Sequence, residues 1–70
     1  MNENKQRICD LLAEALRNTS DQSDLIGIRY ERLSEDSERA VVGYINGCTR
    51  IINVSMDSGI AMIRDIVGHI

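Results

Sequence analysis

The sequence predicts an α+β domain in the order α-β-β-β-α, a three-stranded antiparallel meander with two helices on one face. Three observations predict it. Apolar residues recur at helical spacing towards both ends of the chain, while the middle alternates with period two and is rich in β-branched residues. Asn46-Gly47 also stands between two apolar runs, a strong hairpin signal. With 70 residues the chain has room for one domain, residues 1–70.

The first helix is expected over about 3–18. Ile8, Leu11, Leu12, Ala15 and Leu16 form its apolar stripe, and Asn2 or Asn4 can cap its start. It stops at Asn18-Thr19-Ser20-Asp21, whose side chains compete for backbone hydrogen bonds. Strands are expected over about 25–33, 38–46 and 48–55. Ser34-Glu35-Asp36-Ser37 joins the first two, and Asn46-Gly47 joins the last two as a two-residue turn. In that register Tyr30 faces Val41 and Val41 faces Ile52. Ile26, Ile28, Tyr30, Val41, Ile45, Cys48, Ile52 and Val54 then share the core face, with Gly43 among them where a helix comes close. The second helix is expected over about 58–69. Asp57 is its N-cap, Met56 supplies a hydrophobic staple, and Ile60, Ile63, Ile66, Val67 and Ile70 form its buried stripe.

Composition narrows the function. Eight basic and eleven acidic residues give a net charge of -3, which argues against non-specific nucleic-acid binding. No apolar run approaches the roughly 18 residues of a membrane span, and Met1 to Arg7 is too polar for a signal peptide. Two distant cysteines, Cys9 and Cys48, fit reduced thiols in a cytoplasm better than a disulfide framework. No metal-ligand pair, phosphate loop or nucleophile-base pair is present. His69, the one histidine, is the second-last residue. No cofactor and no enzymatic activity are expected.

Two surfaces stand out. The sheet face opposite the predicted core gathers Arg29, Val42, Tyr44, Thr49 and Ile51, a small apolar centre with one tyrosine and a polar rim, as in an interface core. Glu31, Glu35, Asp36 and Glu38 concentrate negative charge at one hairpin tip, which could dock on a basic protein surface such as that of a nuclease. The third strand is an edge strand without proline, open to pairing with a second chain.

The α-β-β-β-α order resembles the double-stranded-RNA-binding domain in topology. That family grips phosphates with a lysine-rich start to its second helix. Here the corresponding stretch is Met56-Asp57-Ser58-Gly59-Ile60, without lysine and with a carboxylate, so the resemblance does not extend to the binding residues. The segment from Asn46 to Val54, followed by Asp57 to Ile66, looks like a run found in small proteins of phages and integrative elements of Gram-positive gut bacteria. This resemblance covers the last third of the chain and implies no site. In size, acidity and layout the chain also resembles some anti-CRISPR proteins, which implies action by obstruction rather than by chemistry. The expectation is a non-enzymatic cytoplasmic interaction module, homodimeric through the sheet face or the third-strand edge. Its role would be accessory or inhibitory, on behalf of a phage or mobile element. The alternative is a nucleic-acid-binding regulatory protein using arginines on the sheet face.

Overall fold

The computed structural model describes residues 3–70. The order is α1 (Lys5–Arg17), β1 (Leu25–Ser34), β2 (Ser37–Tyr44), β3 (Thr49–Asn53) and α2 (Gly59–Gly68). The strands form one antiparallel sheet in the order β1-β2-β3, and both helices contribute to a single core on one face of it. The expected fold class is the observed one.

Local chemistry sets the helix ends. Asn4 caps α1, its side-chain oxygen accepting from the Arg7 N–H at 3.0 Å. The other candidate cap, Asn2, lies outside the described residues. At α2 the cap is Ser58, which accepts from the Ala61 N–H at 3.2 Å, and not Asp57. Met56 makes no staple. It is 75% exposed and sits at φ 63, the left-handed conformation that turns the chain from β3 into α2.

Both helices are rotated relative to the expected stripes. The buried centre of α1 is Cys9 and Ala13, flanked by Ile8, Leu12 and Leu16, while Leu11 and Ala15 face outward. The helix seats its smallest apolar residues against the sheet, which brings the two backbones close. In α2 the buried residues are Gly59, Met62 and Ile66, and Ile60 and Val67 are exposed. Gly59 is where the helices meet. A Cβ there would lie 2.9 Å from Ile8 Cδ1 and closer still to the Glu3 carboxylate, so a larger residue would have to displace the ends of both side chains.

The sheet register differs from the expected one by one residue in both hairpins. Tyr30 faces Ala40, and Val41 faces Ile51. The Asn46-Gly47 turn accounts for one slip. Tyr44 N–H bonds the Cys48 carbonyl and Gly47 N–H bonds the Tyr44 carbonyl, so the loop has three residues, ending on Gly47 at φ 86. At the other end Ser34 pairs with Ser37 about Glu35-Asp36, still in the expected register, and an irregularity between Arg32 and Ser34 makes the second slip. The consequence is that β2 presents its opposite face. Glu38, Ala40 and Val42 are buried, whereas Val41 and Gly43 lie on the solvent side and Ile45 is 72% exposed. A register irregularity between Leu25 and Gly27 likewise buries Leu25 and turns Ile26 outward. Cys48 is exposed, while Ile28, Ile52 and Val54 are core residues as expected, and Tyr30 packs against them.

The register has a direct consequence for stability. Val42→Ala is expected to cost about 2 kcal/mol in urea denaturation, from lost burial plus the cavity. Ile45→Ala is expected to change stability by no more than about 0.5 kcal/mol. The reverse order would restore the two-residue turn.

Candidate interaction site

The two edges of the sheet are finished differently. Gln6 lies along the outer edge of β1, donating to the Ile28 carbonyl at 3.1 Å and accepting from the Tyr30 N–H at 2.8 Å. One amide side chain thus takes the place of a neighbouring strand. Asp10 holds that amide from one turn further along α1, at 2.8 Å. Arg17 closes the next position, donating to the Ile26 carbonyl at 2.6 Å. Gln6 and Arg17 thus cover the β1 edge, with Asp10 holding Gln6 in place.

Among the described residues nothing comparable covers β3. The bonds Tyr44 N–H to Cys48 O (3.0 Å) and Val54 N–H to Glu38 O (3.1 Å) fix the phase of its ladder. Even-numbered residues of β3 bond to β2, so Thr49, Ile51 and Asn53 turn their backbone N–H and C=O outward. No group among the described residues bonds those outward backbone atoms. At the centre of this open edge is Ile51, 60% exposed.

The sheet surface beside the edge consists of three cross-strand rows. Arg29, Val41 and Ile51 form the middle one. Gly27, Gly43 and Thr49 form a second, almost without side chains, which leaves a surface trough of about 510 Å³ walled in part by Ile26, Arg29 and Val41. Glu31, Arg39 and Asn53 form the third. Here Glu31 accepts from Arg39 Nε at 2.6 Å and from Arg29 Nε at 2.7 Å, and these bonds, Arg39 first, hold its carboxyl below the usual range.

The predicted interface residues therefore separate. Arg29, Thr49 and Ile51 are on the solvent face, as expected. Val42 is fully buried in the core, and Tyr44 packs against the core with its hydroxyl on Gln22 Oε1 at 3.0 Å. Both belong to the inward face of β2, and Val41 takes the place assigned to Val42. The predicted acidic turn is also divided. Glu35 and Asp36 are exposed at the tip, but Glu31 is engaged by two arginines and Glu38 is buried. Only two of its four carboxylates remain outward, and the arginine pair on the sheet face shares the single Glu31 carboxylate, which balances one of its two charges.

Sequence reasoning missed the polar clasp around Glu38. One oxygen, Oε1, accepts from Lys5 Nζ at 2.7 Å and from the Tyr30 hydroxyl, and Oε2 accepts from the Met56 N–H at 2.8 Å. The Lys5 ammonium also lies 5.7 Å from the Tyr30 ring centroid. These bonds, Lys5 first, pull the Glu38 carboxyl down to about 2, while burial and the Glu38 bond push the Tyr30 phenol up. Every partner comes from a different segment, so the cluster binds the domain together and spends its donors doing so.

Near it, Asp57 Oδ2 is buried without a hydrogen-bond partner among the described residues. A bond to the Asp65 carboxyl, then burial and the Asp65 charge, push Asp57 up. Burial, with a smaller contribution from Asp10, pushes the Cys9 thiol up to about 11, which makes it a core residue and a poor nucleophile. Among the described residues, no group of three His, Cys, Asp or Glu side chains could hold a metal ion, and no helix is long and apolar enough to cross a membrane.

No protein-family model, curated protein or solved structure matches the chain.

The two carboxylates have opposite pH signatures. Glu38 has a folded-state pKa below its ordinary 4.5, so its contribution is complete above about pH 4.5 and is lost as the pH falls towards 2. Glu38→Gln is expected to cost on the order of 2 kcal/mol at pH 7 and to flatten the acid limb of a stability-pH curve. Asp57 has a raised pKa, so its ionised form burdens the fold. Asp57→Asn is expected to raise the urea midpoint at pH 7, with the gain fading as the pH falls through the raised pKa of the native carboxyl and gone below its ordinary 3.8.

Proposed function

We propose that this protein works by binding, and that it does so by accepting an extended strand along the β3 edge. The reading rests on one observation. α1 supplies Gln6 and Arg17 to the backbone of β1, whereas the outward backbone atoms of Thr49, Ile51 and Asn53 have no such cover. An open edge of β-branched residues, without proline and with an isoleucine at its centre, templates another strand unless something blocks it. Main-chain bonds would supply the affinity, and Ile51 with Val41 an apolar contact beside them.

The rest of the molecule supports binding over catalysis. Its most perturbed carboxylate, that of Glu38, is buried with both oxygens engaged, by Lys5, Tyr30 and the Met56 amide, an arrangement that serves the fold rather than proton transfer to a substrate. An inhibitory role, of the kind the likeness to anti-CRISPR proteins in size, acidity and layout implies, would need no more than this edge. Occupying a strand of a target blocks whatever that strand normally meets.

A photo-crosslinking residue placed at position 51 in the protein's own cells tests the reading. Adducts are expected there, and not at Ile60, which is exposed to a similar degree on α2. Ile51→Pro, which deletes the central outward N–H, is expected to abolish the adduct formed by the same crosslinker at position 49. Equal labelling at positions 51 and 60, or none at 51, would overturn the reading.

A further inference from the structure

We infer that the strand received by the β3 edge is the β3 of a second copy, paired antiparallel about a two-fold axis at Ile51. This rests on the edge reading above and adds the identity of the occupant. In that register Ile51 faces its own copy, Thr49 faces the second copy's Asn53, and Asn53 faces its Thr49. All the outward N–H and C=O groups of the strand then find partners, because residues whose backbones face outward meet residues of the same kind.

Neighbouring registers do worse. A shift of two residues towards the hairpin sets Arg50 directly against Arg50 of the second copy, a like-charge pair. A shift the other way carries Thr49 past the end of the strand, where Asn53 Oδ1 already turns the chain by accepting from the Ser55 N–H at 2.9 Å. In the favoured register Arg50 stands opposite Ile52, with its guanidinium held by the His69 carbonyl of its own α2 at 2.6 Å. No charged residue is opposed by another.

The side chains agree with the backbone. Directly opposed residues of an antiparallel pair point to the same face, so the axis runs through the sheet and both helix layers stay on one side. On the other side the row Arg29, Val41, Ile51 continues into Ile51, Val41, Arg29 of the second copy. The exposed isoleucine at the centre of the edge is then covered by its own kind, with an arginine at each end of the apolar band. A domain this small gains much from doubling its sheet.

Cysteine crosslinking tests the register. In a Cys48→Ser background, Cys9 does not compete, since it is buried. Residues 49, 51 and 53 are exposed, so the substitutions leave the core intact. Ile51→Cys is expected to form a covalent dimer under mild oxidation, because opposed Cα atoms in a bonded pair stand about 5.5 Å apart. Thr49→Cys alone is expected not to, its own copy lying roughly 13 Å away along the strands. A mixture of Thr49→Cys and Asn53→Cys is expected to crosslink. Light scattering of the unmodified chain is expected to give twice the mass of one chain.

Crosslinking of Thr49→Cys as fast as Ile51→Cys would overturn the inference. So would a single-chain mass in scattering with no disulfide at position 51. In the second case, photo-adducts at position 51 with a different protein would leave the edge reading standing with another occupant. Their absence as well would end both.

Discussion

Everything in this domain hangs on which face of β2 is turned inward. The strand has two nearly equivalent apolar faces, Ala40 with Val42 and Val41 with Ile45, so hydrophobic burial discriminates weakly between them. The faces differ in the polar residue that precedes each, Glu38 on one and Arg39 on the other. With Ala40 and Val42 inward, Glu38 also points inward, and it finds an ammonium, a phenol and a backbone amide waiting. A buried carboxylate without such partners would be costly, and with them it becomes a tie between α1, β1, β2 and the turn before α2.

That choice of face propagates to the surface. It removes Val42 and Tyr44 from the exposed side and leaves Val41 and Ile51 there, beside the bare backbone at Gly27 and Gly43. It also determines which carboxylates are spent within the fold. Glu38 goes to the core and Glu31 to the two arginines, so the hairpin tip carries less free charge than its composition implies. On the sheet face Glu31 offsets one of the two charges of Arg29 and Arg39, which leaves a single positive charge from that pair.

The asymmetry of the two edges has its own physical logic. Three strands are too few to close into a barrel, so the sheet keeps two edges. α1 is placed to finish β1 because the Gln6 amide reproduces the donor and acceptor of a strand neighbour, and Arg17 extends the cover by one carbonyl. α2 packs under the sheet through Met62 and Ile66, and its contact with β3 near the edge is made by the Arg50 guanidinium to a helix-end carbonyl. The consequence is one finished edge and one available edge, on which the proposed function depends.

The sequence by itself determined the element order, the antiparallel meander, the single core face and the inward positions of Ile28, Ile52 and Val54. These follow from periodicity and turn residues, which act locally. It also marked β3 as an unprotected edge, since the absence of proline and the single charge are visible in the residues. Tertiary structure alone decided the phase of β2. Both hairpins contain β2, so turning that one strand over shifts both registers together and still leaves Ile28, Tyr30, Ile52 and Val54 on the core side. The rotation of α1 onto Cys9 and Ala13, the Gln6 cover on β1 and the clasp at Glu38 were likewise settled only in three dimensions. Each depends on which groups distant in sequence meet in space, and no spacing along the chain encodes that.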